Sequence, residues 1–400
     1  MRSIFVVLLC SIFCLPLFAQ QDTGKSLLIG NKQVLHSNIL KEDRPYWVWL
    51  PESYNSKDYT PGKYPVMYLL DGDMNFHSAS AIVQYLSRGM YAMIPEMIII
   101  AIPNTDRTRD LTPTRFITTR PGKKGMLYET SGGGEQFVAF LERELIPHIN
   151  KNYRTSGYQL LTGHSFGGLF TVNVCLKHNH LFNAYIALDP SLWWDNEKLN
   201  NEAASLLSAV AFKGSQLYVA LANKVLLPQD TTTDHPRAIR RFTTSILPAA
   251  AESGLRWNWH YYEEDDHGTV ALPGTYDGLK FIFKGYQSQV KQLVDAPELY
   301  THQFEKLSLQ NGFTFVPSEA LTDGIGRYAL SQEKLNSAIQ LLSLNVRNYP
   351  MSAHAQQMLA QAYVRIGNKD KALAAYQAAL TLAPKNQQIR KEIDALAAKK

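Results

Sequence analysis

A chain of 400 residues is long for one domain and leaves room for a catalytic unit with an appendage. With 45% hydrophobic residues, 21 Tyr and 6 Trp it can bury a sizeable core, which excludes global disorder. A net charge of +5, with no dense Lys/Arg patch interleaved with aromatics, gives no ground for a nucleic-acid partner.

The first element is an apolar leader. Arg2 precedes two nearly apolar runs, Ile4 to Leu9 and Ile12 to Phe18, and Leu17-Phe18-Ala19 then meets Gln20. This pattern predicts a signal peptide over residues 1–19 and a periplasmic or secreted product. A membrane anchor is the alternative, at the lower limit of spanning length. Phe13 before Cys14 argues against a lipoprotein signal. Cys10 and Cys14 leave with the leader, so Cys175 alone would remain and no internal disulfide can form.

Next come segments of strand character: Tyr46 to Leu50, Pro65 to Leu70, Met97 to Ile102, Tyr158 to Leu161, Tyr185 to Leu188, Leu217 to Leu221 and Trp257 to Tyr262. Helical patterns lie between several of them, as at Gly134 to Ile149 and Gly168 to Lys177. Such alternation predicts a mostly parallel sheet with helices on both faces over residues 25–290, with the early strands forming an antiparallel hairpin at one edge. Gly132-Gly133-Gly134 lacks the Lys-Ser/Thr of a phosphate loop and reads as a flexible start to a helix.

Within this pattern Leu160-Leu161-Thr162 runs into Gly163-His164-Ser165-Phe166-Gly167-Gly168, a strand, then G-x-S-x-G, then an apolar helix. A serine on so tight a turn needs small neighbours, and the helix start beneath it offers unpaired N–H groups to a developing oxyanion. Ser165 is therefore the expected nucleophile of a serine esterase. It needs a base, and His267, beyond the last strand, is placed to take its proton and return it to the leaving alkoxide. For the acid, Asp234 is favoured, on the loop after Leu217 to Leu221. Asp230, Glu263, Glu264 and a Ser–His dyad remain open. The oxyanion donors expected are the N–H of Phe166 and that of Asp73 or Met74, after the strand Tyr68-Leu69-Leu70. Asp71 is expected to order that turn by bonding to backbone. His164 is expected to line or support the pocket. No His/Cys/Asp cluster has metal-ligand spacing, so neither a metal nor another cofactor is expected.

After about residue 290, Pro and Gly thin out and Ala, Leu, Gln and Lys take over. Ala338 and Ala372, Leu342 and Tyr376, and Pro350 and Pro384 are each 34 residues apart. That period predicts tetratricopeptide-like helix pairs over residues 326–400, joined by a linker and docking segment over 291–325. A generic helical hairpin is the plainer alternative. Two copies are few for a solenoid, so the region should dock on the catalytic domain, on a second copy or on a protein partner.

The strand and turn Tyr68 to Gly72, the elbow Gly163 to Gly168, the run Asp189-Pro190-Ser191-Leu192-Trp193-Trp194 and His267-Gly268-Thr269-Val270 together resemble the esterase D / enterochelin esterase-like family of α/β hydrolases, and within it the siderophore-esterase-like branch. The resemblance covers about residues 30 to 285. It implies an α/β-hydrolase fold and ester hydrolysis through Ser165 and His267. It also implies a loop beside the site in which Trp193 and Trp194 either wall the pocket or serve packing. The segment Asn104 to Pro113 resembles a family loop. Arg107 or Arg109 there could contact an acidic or catecholate substrate, or pair with Asp106 or Asp110. A siderophore-type ester is the substrate class the resemblance favours. Acetyl or feruloyl esters on carbohydrate, and an interaction module with a vestigial hydrolase domain, are the alternatives.

Overall fold

The computed structural model describes residues 28–119, 126–209, 211–224, 234–249 and 251–398. The expected leader, residues 1–19, and Asp230 lie outside the described residues. Eight strands make one sheet: β1 (Asn31–Ser37), β2 (Glu42–Trp49), β3 (Tyr64–Leu70), β4 (Ile98–Ile102), β5 (Thr155–His164), β6 (Ala184–Leu188), β7 (Gln216–Lys224) and β8 (Arg256–Asp266). Their spatial order is β1-β2-β4-β3-β5-β6-β7-β8. β1 and β2 form the antiparallel edge hairpin, and β2 meets β4 antiparallel; the other pairs are parallel.

The central strands are nearly continuous apolar runs because both faces are covered. All residues of β3, β4 and β6 are buried. Alternate side chains serve opposite cores: Val66, Tyr68 and Leu70 pack on one side, Met67 and Leu69 on the other. The first core is closed by the helical stretch Gly134 to Asn152 and by Phe166–Lys177. The second is closed by Gly72–Leu86 and Ala271–Ile282. We number the helices used below α1 (Gly72–Leu86), α2 (Arg107–Leu111), α3 (Phe166–Lys177), α4 (Trp194–Ala209), α5 (Asp234–Arg241) and α6 (Ala271–Ile282).

The acidic stretch Glu263 to Asp266 prolongs β8 along the sheet edge, beyond the expected strand segment Trp257 to Tyr262. Asp266 pairs with Lys224 after a register break. Charge on an edge strand discourages pairing with another chain.

Seven more helices follow: α7 (Val290–Asp295), α8 (Glu298–Asn311), α9 (Glu319–Ser331), α10 (Leu335–Asn348), α11 (Ala353–Arg365), α12 (Lys369–Leu382) and α13 (Gln387–Ala398). The caps show the repeat: Ser318 and Ser352, 34 residues apart, each accept the third helical N–H of α9 and α11. Ala338 and Ala372, fully buried, sit at matching places where the paired helices approach. Residues 291–325 are largely helical. Their Tyr300, Phe304, Leu307, Phe315 and Leu321 join the second core of the sheet. The side chain of Asn311 accepts from Tyr158 at 3.1 Å and also from Gln216, at the beginnings of β5 and β7. Glu319 accepts the Thr60 N–H at 2.8 Å, and Asp323 the Tyr59 hydroxyl at 3.1 Å. The helices thus attach to one face and to the amino ends of the strands. Among the described residues no helix is long and apolar enough to cross a membrane.

Candidate active site

Three strand ends build the site. β5 delivers Ser165 at φ 61°, ψ −115°, a strained conformation for a non-glycine residue. The glycines around it answer to close approach. A Cβ on Gly163 would lie 2.3 Å from the Gly167 carbonyl oxygen, and one on Gly168 2.9 Å from Pro190 Cα. β6 ends beside β5, His164 opposite Leu188, and the next residue is Asp189, buried and at φ 42°. β8 delivers His267 over the top.

His267 Nε2 is 3.1 Å from Ser165 Oγ, and its Nδ1 is 2.6 Å from Asp189 Oδ2. The other oxygen, Oδ1, accepts the Ala222 N–H at 3.0 Å. Burial alone would raise the Asp189 pKa. Hydrogen bonds from His235 and His267, the charge of His235 and the Ala222 N–H outweigh burial and hold the carboxyl well below the usual range. Asp189 is therefore an anion able to stabilise an imidazolium at position 267.

Asp189, not Asp234, meets His267. Asp234 is exposed and pairs with Arg237 at 3.0 Å. Glu263 and Glu264 lie exposed on β8. The acid follows β6, one strand earlier than the segment that carries Asp234. Sequence reasoning misses Asp189 as the acid, although it opens the run Asp189 to Trp194. The residue beside Asp234 was also missed: His235 Nε2 lies 2.9 Å from Asp189 Oδ2. Ser191 was missed as well, and its hydroxyl is 3.3 Å from Ser165 Oγ.

The Phe166 N–H opens α3, and the Asp73 N–H lies in the first turn of α1. Neither has a carbonyl partner in its own helix, as expected of first-turn donors. The Met74 N–H is taken by the Asp71 carbonyl at 3.1 Å, and its side chain is exposed. Met74 is thereby removed as a donor. Asp71 orders its turn through its carbonyl, which also accepts the Asn75 N–H at 3.1 Å, while its side chain makes no bond to the turn. Its carboxylate accepts from Arg107 at 2.6 and 3.1 Å and from Asn104 at 2.7 Å. Arg107 also donates to the His164 carbonyl at 3.1 Å, tying the β3 loop to the elbow.

His164 supports rather than lines the pocket. Its Nε2–H donates to the His267 carbonyl at 2.6 Å, with the rings 4.5 Å apart. Burial, then the neighbouring His267, push its pKa down to about 4, so at neutral pH the ring is an uncharged brace. Trp194 is buried and donates to the Thr114 carbonyl at 3.2 Å, a packing role. Trp193 is half-buried, and with Phe166 and Tyr128 it forms an aromatic wall, ring centres 6.3 and 6.5 Å from its own. Arg109 lies elsewhere: it binds Glu42 at 2.6 Å and Asp110 at 2.7 Å, fastening α2 to β2.

Among the described residues, one trio of metal-ligating types converges, Asp189, His235 and His267, with ligand atoms within 4.8 Å of one another. Sequence spacing could not show it. The 2.6 and 2.9 Å contacts are hydrogen-bond lengths. Ligands around a tetrahedral zinc ion stand about 3.3 Å apart, so the trio would have to open to admit one.

Comparison with known proteins adds the lineage. A family model described as "Putative esterase" matches residues 37–225, and a tetratricopeptide-repeat model matches residues 353–393. A solved IroE-like serine hydrolase from Shewanella oneidensis is 34% identical, with a TM-score of 0.72, covering 80% of this chain and 99% of its own. The chain belongs to this esterase family of serine hydrolases. Among curated relatives of the esterase, the ferri-bacillibactin esterase BesA of Bacillus subtilis is 27% identical over 62% of this chain and 88% of its own. The siderophore enterobactin esterase of Emericella nidulans is 29% identical over 60% and 90%. The enzyme is thus a serine carboxylic ester hydrolase of α/β-hydrolase fold, carrying a tetratricopeptide-like helical region.

Proposed function

We propose that this esterase hydrolyses siderophore-type carboxylic esters through an acyl-enzyme on Ser165. The observation that carries the chemistry is the relay from Ser165 Oγ through His267 to Asp189, at 3.1 and 2.6 Å, on a strained elbow. His267 takes the serine proton as Oγ adds to the ester carbonyl. The Phe166 and Asp73 N–H groups hold the oxyanion. The same proton leaves with the alkoxide. Water, deprotonated by His267, then attacks the acyl-enzyme and frees the acid and Ser165.

The substrate class is supported by relatives named for ferri-bacillibactin and enterobactin esters. An envelope location is supported by the leader-like residues 1–19, and a protein contact, to a second copy or a partner, by the repeat-like helices. The test is a panel of catecholate trilactones, feruloylated sugars and acetylated sugars with the pure protein and Ser165→Ala. Ring opening of the trilactone by the wild type alone is expected. Turnover of acetylated or feruloylated sugars with the trilactone untouched would overturn the substrate reading.

A further inference from the structure

His235 is the second residue of α5 and reaches the centre of the site from outside the Ser165–His267–Asp189 relay. Its Nε2 lies 2.9 Å from Asp189 Oδ2, the oxygen that His267 Nδ1 approaches at 2.6 Å. The two rings meet edge to face, 5.1 Å apart and at 89°. With the Ala222 N–H on Oδ1, the buried carboxylate has three fixed donors, from β7, α5 and the end of β8.

We infer that His235 is a positioning residue for the hydrolysis, acting through Asp189; this rests on the esterase reading above. A carboxylate held only by Ala222 and His267 could turn about its broad terminal torsion. A second imidazole N–H on Oδ2 fixes its plane, so that a lone pair points at His267 Nδ1 and keeps that proton there. Nε2 of His267 is then left free to accept from Ser165. His235 takes no proton during turnover. It also shares the negative charge of Asp189, which moderates how strongly the carboxylate favours the imidazolium of His267.

The groups around His235 leave it this role. Across from it are Asp189 and His267, with the neutral His164 beneath the latter. On its own helix, Asp234 turns to Arg237. From α4, Glu197 is held by Arg237 at 2.8 Å and Arg241 at 2.9 Å.

The test compares wild type, His235→Ala and His235→Gln, the glutamine amide nitrogen standing near the place of Nε2. Two readouts are taken across pH: turnover of p-nitrophenyl acetate, and the rate at which a fluorophosphonate labels Ser165. The alanine variant is expected to lose about tenfold in kcat and in labelling, with KM within about twofold. The acid limb of its kcat/KM profile moves to higher pH, because a less neutralised Asp189 holds the proton on His267 more tightly. Glutamine restores most of the rate and returns the limb. Wild-type labelling rates in the alanine variant would overturn the inference. So would equal losses in both variants with an unmoved acid limb, which would mark a purely structural residue. Loss of wild-type activity to EDTA with recovery on adding zinc would also overturn it, making the trio a metal site. If Ser165 is labelled but no ester turns over, the esterase reading falls and the labelling rates still judge His235. A wild-type Ser165 that takes no phosphonate overturns both.

Discussion

The two ends of the central sheet are built on different principles. At the carboxyl ends of β3, β5 and β6, short polar contacts hold a strained backbone: Ser165, Asp71 and Asp189 all have positive φ. Asp189, His267 and Arg107 fill that end with bonds of 2.6 to 3.1 Å. At the amino ends and on one face, aromatic and aliphatic packing from α8 to α10 extends the core. Beyond them α11 to α13 rest on two small clusters, one around Leu342, Met358 and Leu359, the other around Tyr376 and Ile389. Chemistry needs groups fixed to a fraction of an ångström, and stability needs buried area. This molecule separates the two demands along the strand axis.

Substitutions can break that separation or sharpen it. The largest effect is expected from Ser165→Ala, a loss of about ten-thousandfold or more in kcat with p-nitrophenyl acetate and little change in Tm. Surviving turnover would show that the chemistry lies elsewhere. Asp189→Asn should lower kcat by roughly a hundred- to ten-thousandfold, because the neutral amide can neither stabilise the imidazolium nor enforce its tautomer. Asp234→Asn, measured alongside, should stay near wild type. Equal effects would return the acid to the α5 loop.

At the other end, Phe304→Ala should cost about 3 to 5 kcal/mol in urea unfolding, since the ring is part of the continuous core. Tyr376→Ala should leave that main transition nearly in place and loosen α11 to α13 alone, read by hydrogen exchange. A single transition shifted equally by both would erase the distinction drawn here.

The smallest effect concerns His164. Its folded pKa, about 4, lies below the unfolded value of 6.5, so the unfolded chain takes up the proton first as pH falls. Stability from this group is complete above about pH 6.5 and is lost toward pH 4. That amounts to about 2 kcal/mol between pH 7 and pH 5. His164→Gln keeps a donor for the His267 carbonyl and should flatten this part of the stability profile. An unchanged slope would mean the ring is charged in the folded state.

Much of the fold could be read from residues alone. Apolar runs such as Ile98 to Ile102 are too uniform for a one-sided sheet, and the 34-residue spacing of Ala338 and Ala372 marked the helix pairs. Ser165 was legible because a tight elbow imposes glycines within four residues of the nucleophile. His267 was legible because Trp257 to Tyr262 is the last segment of strand character and the base was expected beyond it, although the strand itself runs on to Asp266. The acid was not, since it sits 24 residues after Ser165 and 78 before His267, and nothing local separates Asp189 from other aspartates that follow strands. The neighbours Asp234 and His235 make the same point. Which of them faces Asp189 depends on the phase of α5 against the sheet. Met74 failed as a donor because the first turn of α1 claims its N–H.

What the sequence by itself determined were features set by short-range constraints: strand and helix periodicity, the glycine-lined elbow at Ser165 and the repeat. Only the tertiary structure decided the partners of Asp189, the bracing role of His164 and the committed state of Arg107 and Arg109. Those depend on which strands lie side by side and on which donors burial leaves without water, and both are properties of the packed chain.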